Sequence, residues 1–260
     1  MEPVWSAFFD DGYSRLLTRY LRERKNEEGK EYELELRFGS FNPRRPGFNN
    51  GISRADFERL VDVLTKINPE IAPEITTVFS STGQDVREIV GQGLDSGFQQ
   101  KRRITNYDHA PLNLRLAYNI EERIGKPSSW TQTYMRSRER YSLTGREIPV
   151  KETTDPNLRD LRLDVTKVIS GSQSGESESV SYEVELELGH LSNKVLQEPN
   201  GILKRAIVAI YCLVYDTNFA FSNTERLHVF TRVGEQLSGR RGETFDARTL
   251  MNARNIKSDD

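Results

Sequence analysis

The chain has 260 residues, of which 35% are hydrophobic and 29% are charged, and its formal net charge at pH 7 is −2. This length allows a full hydrophobic core, and the near-neutral charge gives no bulk attraction to nucleic acid. The sequence contains no apolar run near the ~20 residues that span a bilayer, and its N-terminus lacks a signal-peptide pattern.

The sequence lacks the motifs of common cofactor sites. His109, His190 and His228 do not have metal-ligand spacing, and no G-x-x-x-x-G-K-[ST] phosphate loop occurs. GQGLDSG at 91–97 misses the dinucleotide fingerprint, so we interpret it as a connection between strands. The single cysteine, Cys212, lies in the apolar run AIVAIYCLVY, which favours a buried structural thiol in a reducing compartment.

Helices are predicted first along the chain. Apolar residues at helical spacing predict a helix over 4–25 that is broken near Gly12. NPRRPGFNNG at 42–51 predicts a loop. Ser53 is then the predicted cap of an amphipathic helix that ends at Pro69.

Alternating apolar and polar residues predict strands from there on, with Gly, Pro, Ser and Asn between them. With the earlier stretch 31–39, the predicted strands are 31–39, 74–81, 84–90, 97–106, 113–124, 131–143, 160–170 and 180–188. We expect a flexible hairpin connection at 170–179 and a covering helix over 193–216. This order favours an α+β fold: a closed eight-stranded antiparallel β-barrel with a polar interior, flanked by helices.

Two strands place carboxylates side by side. In EYELELRFG, Glu33 and Glu35 point the same way, and in YEVELEL the same holds for Glu183, Glu185 and Glu187. A solvent-exposed polar face is the simplest interpretation of either strand alone. Inside a closed barrel, however, the carboxylates would form an all-oxygen cluster that suits a hard cation such as Mg²⁺ or Mn²⁺.

Other strands carry basic residues at alternate positions. MRSRERYSL places Arg136, Arg138 and Arg140 on one face, where they would repel each other. Solvated faces usually mix the two signs of charge, so this sorting predicts that a polyanion binds between the strands. The candidate basic residues are Arg87, Lys101, Arg115, Arg136, Arg138, Arg140 and Arg162. A metal ion and several arginines around one phosphate chain are typical of phosphoryl transfer.

These motifs resemble a known family. ELELRFG and YEVELEL resemble the two acidic strands of the triphosphate tunnel metalloenzymes. MRSRERYSL and LRLDVTKV narrow the resemblance, which covers 31–188, to the RNA triphosphatases of fungal and large-DNA-virus mRNA capping systems. The resemblance implies an eight-stranded tunnel, a Mg²⁺ or Mn²⁺ ion, and hydrolysis of the γ-phosphate of 5′-triphosphate RNA, the first step of capping. Nucleoside triphosphates would be further substrates.

The resemblance also assigns residues. It implies that Glu33, Glu35 and Glu187 are metal ligands, and that Glu185 is a ligand or holds the metal's water. The implied phosphate-binding residues are Arg87, Lys101, Arg136, Arg138, Arg140 and Arg162. Asp164 would orient the arginines, and either Glu121 or its neighbour Glu122 would position the attacking water. Together with Arg115, these basic residues, Asp164 and Glu121 form the predicted catalytic set. Arg37 departs from the family pattern and receives no role.

The predicted domain is 1–230. FDARTLMNARNIKSDD within 231–260 resembles the approach to a downstream guanylyltransferase (nucleotidyltransferase) domain, which favours a viral capping polypeptide, and a plain disordered tail is the alternative. We expect no membrane partner and an intracellular location: a cytoplasmic viral factory or virion for a viral protein, the nucleus for a cellular one. Two other functions stay open, namely a tunnel hydrolase of tripolyphosphate or another small triphosphate, and a non-catalytic module that binds polyphosphate or RNA ends.

Overall fold

The computed structural model describes residues 3–24, 29–41, 47–81, 85–91, 97–172, 178–198 and 201–217. Helices α1 (Pro3–Ala7) and α2 (Ser14–Glu23) are joined by a π-helical segment, Phe8–Tyr13. The predicted break near Gly12 falls in this segment. A Cβ atom at Gly12 would lie 1.9 Å from a ring atom of Tyr107, so only glycine lets that ring pack against the backbone.

The remaining elements follow the predicted order closely. They are β1 (Lys30–Phe41), β2 (Phe48–Asn50), α3 (Arg54–Ile67), β3 (Glu74–Ser80), β4 (Val86–Gly91), β5 (Gly97–His109), β6 (Leu114–Ile124), β7 (Tyr134–Thr144), β8 (Arg162–Ser172), β9 (Glu178–Glu187), α4 (Asn193–Gln197) and α5 (Ile202–Val214). Short 3₁₀ turns lie at Ala110–Leu112, Lys151–Thr154 and Pro156–Leu158. No helix among the described residues is long and apolar enough to cross a bilayer.

Eight of the strands close into an antiparallel barrel. They pair in the order β1-β6-β5-β4-β3-β7-β8-β9, and β9 pairs with β1 to close the ring. At this seam Leu36 lies opposite Leu186, and Glu35 lies opposite Glu187. The predicted closed eight-stranded barrel is therefore confirmed.

The barrel's apolar packing lies outside its wall. Leu34, Leu36 and Phe38 of β1 are fully buried in the same cluster as residues of α1, α2, α3 and α5. Ring contacts fix the helices to the strands, such as Tyr20 against Tyr118 at 5.3 Å between centroids. Because these faces are covered by helices, the alternate side chains of the same strands face the interior of the barrel.

Two predicted connections are partly strand. Residues 48–50 were predicted as loop but form β2, in which Phe48 pairs with Phe41 and Asn50 pairs with Gly39. Asn-rich sequence has low strand propensity, and here the pairing with β1 overrides it. The strands β8 and β9 also extend into the predicted connection 170–179, of which 173–177 lie outside the described residues.

The predicted helix 193–216 is two helices. Ser192 caps α4, since its hydroxyl accepts a hydrogen bond from the Val195 backbone N–H at 3.4 Å, and α5 begins after Gly201. The intervening sequence contains Pro199, which has no N–H to donate. Cys212 in α5 is half-buried rather than fully buried. The predicted cap at Ser53 is confirmed, as its Oγ accepts from the Asp56 N–H at 3.1 Å.

Candidate site in the barrel interior

Polar side chains from separate strands meet inside the barrel. Lys101 of β5 reaches past β6 to Glu33 of β1 at 2.5 Å, and Arg87 of β4 reaches past β5 to Glu121 of β6 at 2.6 Å. Such contacts need side chains on one shared face of neighbouring strands. The opposite faces carry the apolar packing, so the predicted polar interior is confirmed.

A cluster of three carboxylates lies at the seam between β1 and β9. Glu35, Glu185 and Glu187 each offer an oxygen, and these oxygens lie within 4.8 Å of one another. Burial raises the pKa of Glu187 well above its usual range, and the charges of Glu35, Glu33 and Glu185 raise it further. A buried, all-oxygen, charge-crowded set fits a hard divalent cation. We call these three residues the seam cluster.

Glu33 lies outside the seam cluster, although the sequence placed it among four metal ligands. Its carboxylate contacts Lys101, whose Nζ also lies 2.7 Å from Glu121. Burial is the main cause of the raised pKa of Glu33. Of the four predicted ligands, the structure therefore brings together Glu35, Glu185 and Glu187.

Arg37 contacts two residues of the seam cluster. Its Nη2 donates to Oε1 of Glu35 at 2.6 Å, and its Nε lies 3.2 Å from Oε1 of Glu185. Asn119 Nδ2 also donates to Oε1 of Glu35, at 2.7 Å. Burial opposes the charge of Arg37, but Glu185 and Glu35 outweigh it and raise the guanidinium pKa. Sequence reasoning gave Arg37 and Asn119 no role, although they share the strand faces of the glutamates.

Glu121 is the centre of a second charged group. Arg87 and Lys101 contact its Oε1, and Gln99 donates to its Oε2. Arg87 Nη2 also donates to Gln99 Oε1 at 2.6 Å. Burial raises the pKa of Glu121, but Lys101 and Arg87 outweigh this and hold it below the usual range. The neighbouring Glu122 points to the other side of the strand, so Glu121 is the interior residue of the pair.

The arginines of β7 and β8 gather around Asp164, which is almost fully buried. Ser142 donates to Asp164 Oδ1 at 2.7 Å, Arg140 Nη1 lies 3.5 Å from Oδ2, and Arg162 Nε lies 3.2 Å from Oδ1. Arg162 also approaches Glu187, at 3.8 Å, and so connects this group to the seam cluster. Asp164 is therefore the shared partner of Arg140 and Arg162.

Several guanidinium groups here have unsatisfied donors. The Nε atoms of Arg138, Arg140 and Arg162 are buried and make no hydrogen bond within the described chain. Burial, followed by the charge of Arg140, lowers the pKa of Arg138. Buried donors without acceptors are costly, so this wall of the interior favours an anion with several acceptor oxygens.

Two predicted site residues are engaged elsewhere. Arg115 forms a two-bond ion pair with Asp108, at 2.6 and 2.8 Å, and its guanidinium lies over the Phe48 ring at 4.7 Å. Arg136 is exposed, with its guanidinium 5.6 Å from the Tyr134 ring centroid. The contacts of these two arginines do not include the seam cluster.

Comparison with known proteins identifies the fold. No protein-family model matches the chain, and no curated protein matches it. The solved structure of the S. pombe Pct1 RNA triphosphatase matches with a TM-score of 0.50 and 14% identity, covering 75% of this chain and 86% of that chain. The same protein in complex with the Spt5 CTD matches with a TM-score of 0.47 and 14% identity, covering 78% and 87%. The chain therefore has the triphosphate tunnel fold of Pct1.

Proposed function

We propose that this protein is a metal-dependent RNA 5′-triphosphatase, which removes the γ-phosphate from 5′-triphosphate RNA in the first step of mRNA capping. One observation carries the proposal: a largely buried cluster of three carboxylates lies beside buried arginine Nε atoms that make no hydrogen bond among the described residues, inside one closed barrel. Carboxylates alone would attract a cation and arginines alone an anion, so the pair suits a metal-bound polyphosphate. The shared fold with an RNA triphosphatase supports this substrate class.

Glu35, Glu185 and Glu187 are the residues that would hold the cation, with Mg²⁺ or Mn²⁺ as the metal. A bound cation would draw negative charge from the γ-phosphate oxygens. Glu33 is assigned a different task, since it shares Lys101 with Glu121. It holds the lysine at the edge of the phosphate-binding wall.

The basic residues bind and orient the phosphate chain. Arg138 and Arg140 have Nε donors available for phosphate oxygens, and Asp164 keeps Arg140 and Arg162 in place through Arg140 Nη1 and Arg162 Nε. Arg87 and Lys101 bind from the opposite wall, with their positions set by Glu121. We retain Arg136 as an outer phosphate contact. We leave Arg115 out of the site because its partner is Asp108.

Glu121 positions the attacking water rather than removing its proton. A carboxylate whose pKa is held low by two cations is a weak base, but it remains a good hydrogen-bond acceptor. The water oxygen forms a bond to the γ-phosphorus while the bond from that phosphorus to the β–γ bridging oxygen breaks. The bridging oxygen leaves on the RNA diphosphate with the electron pair. One water proton stays on the attacking oxygen, and the other moves to a second oxygen of the released phosphate.

We extend the proposal to organisation and location. Residues 1–230 would form the catalytic unit, and 231–260, which lie outside the described residues, would be a linker to a guanylyltransferase domain of a viral capping polypeptide. The protein would act inside the cell, at a viral factory or in the virion, or in the nucleus if the source is cellular.

The deciding experiment measures phosphate release from γ-labelled triphosphate RNA, tripolyphosphate and ATP, each with Mg²⁺, Mn²⁺ or chelator. We expect release from the RNA with either metal, slower release from ATP, none with chelator, and loss in Glu187→Gln. Preferred hydrolysis of tripolyphosphate would indicate that the substrate is a small triphosphate rather than RNA. Binding of all three without release would indicate a binding module, and hydrolysis in chelator would overturn the metal site.

A further inference from the structure

Arg37 contacts two of the three carboxylates of the seam cluster through two different nitrogens. Its Nη2 donates to Glu35 and its Nε approaches Glu185. The strand register explains this reach: Arg37 follows Glu35 on the same face of β1 and lies directly opposite Glu185 on β9. A planar guanidinium can hydrogen-bond one carboxylate and form an ion pair with a second in this way, whereas an ammonium offers a single point of charge.

The contacts of Arg37 fall on one oxygen of each partner. Glu35 Oε1 accepts hydrogen bonds from Arg37 and Asn119, whereas Glu185 Oε1 lies at ion-pair distance from Arg37 Nε, which makes no hydrogen bond within the described residues. Glu35 is almost completely buried, so these two donors fix the rotation of its carboxylate. Among the described residues no hydrogen bond or ion pair reaches Oε2 of Glu35 or of Glu185, so these oxygens can serve another ligand.

Resting on the proposed metal site, we propose that Arg37 is a positioning residue that clamps Glu35 and Glu185 so that their second oxygens converge on the cation. Metal-binding carboxylates are commonly oriented by such outer hydrogen bonds. Arg37 also offsets part of the negative charge of the seam cluster, which keeps the seam closed when no cation is bound.

If Arg37 competed with the cation, its removal would have the opposite effect on metal affinity. If Arg37 occupied the place of the cation and competed for the same oxygens, its removal would strengthen metal binding. If it clamps the ligands, its removal weakens metal binding, because the carboxylates gain rotational freedom and repel each other. The sign of the change in affinity therefore separates the two roles.

The test measures Mn²⁺ affinity of the full chain without substrate, by electron paramagnetic resonance or calorimetry. We expect Arg37→Met to weaken binding about 10–100-fold and Arg37→Lys to weaken it less, since lysine restores the charge but not the two-pronged contact. Arg115→Met is the matched control: it removes an arginine from the register position opposite Arg37 on β6, and we expect unchanged affinity.

Unchanged or tighter Mn²⁺ binding in Arg37→Met would overturn the clamp, as would full recovery in Arg37→Lys, which would reduce the role of Arg37 to charge alone. Thermal unfolding in chelator checks that each variant folds. If Arg37→Met does not fold, the Mn²⁺ affinity of Arg37→Lys decides between the two roles. Wild-type protein that fails to bind Mn²⁺ would refute the proposed function itself. Wild-type binding with an unaffected Arg37→Met refutes only the clamp.

Discussion

Glu35 of β1 lies directly opposite Glu187 of β9, at the seam where the ends of the strand order meet. Two buried carboxylates in this relationship repel each other unless a cation or a proton intervenes. This repulsion lowers the stability of the folded protein, and an isosteric neutral residue at either position would remove it.

We expect Glu187→Gln to unfold at the same or a higher temperature than the wild type in chelator, because it removes a charge from a crowded buried site. The same variant should lose about 10²–10³-fold in phosphate release from triphosphate RNA, as loss of a catalytic electrostatic group usually causes. Thermal unfolding and a phosphate-release assay give the two values. A variant that is less stable in chelator and fully active would contradict the seam cluster.

Glu33 and Glu35 differ in their partners, so their substitutions should differ in effect. Glu35→Gln removes an oxygen ligand and should weaken Mn²⁺ binding strongly. Glu33→Gln leaves the seam cluster intact but weakens the hold on Lys101, so it should raise the KM for triphosphate RNA while Mn²⁺ affinity changes little. Equal losses of Mn²⁺ affinity in both variants would indicate that Glu33 is also a metal ligand.

Arg138 should respond to anions. Its buried Nε has no acceptor in the described chain, and burial beside Arg140 lowers its pKa. Tripolyphosphate should therefore raise the unfolding temperature of the wild type, and Arg138→Met should reduce that rise while unfolding at or above the wild-type temperature without the anion. Scanning calorimetry with and without tripolyphosphate measures both effects. An equal rise in the variant would remove Arg138 from the phosphate site.

Arg59 joins α3 to the end of α5. Its Nη2 donates to the carbonyls of Leu213 and Val214 at 2.9 and 2.7 Å, where the last carbonyls of a helix lack partners. We expect Arg59→Ala to cost about 2 kcal/mol of unfolding free energy, from the loss of charged hydrogen bonds. The matched control, Arg54→Ala, removes an exposed pair with Glu58 in the same helix and should change little. Urea denaturation compares them, and equal losses would argue against the capping role.

His109 should make stability depend on pH. Burial lowers its pKa below the usual ~6.5, so the folded state resists protonation while the unfolded state accepts it. Its contribution to stability is therefore full above that value and is lost as pH falls toward the folded pKa. His109→Phe, which keeps an aromatic ring against Phe8, should lose less stability than the wild type between pH 7 and 5. Identical pH profiles in urea denaturation would contradict this.

The alternating pattern was enough to predict the strands and the two faces of each. It could not separate Glu33 from Glu35, which are equivalent in pattern, because the stagger between β1 and β9 decides which one reaches the seam. It also left Arg37 without a role, since its second partner, Glu185, lies about 150 positions further along the chain. Arg115 shows the reverse case: its strand face was correctly identified, but the neighbouring Asp108 captures its guanidinium.

The seam also has a consequence for synthesis. Glu35 is made early, but Glu185 and Glu187 are the last carboxylates of β9, the last strand of the barrel. A nascent chain therefore carries one of the three carboxylates of the seam cluster through most of its translation and gains the other two only when β9 emerges. Closing a loop this long is slow because its entropy cost comes before any contact rewards it. Acquisition of the three-carboxylate cluster thus marks the moment at which the barrel is complete, and a chain truncated before β9 would lack both the closure and the cluster.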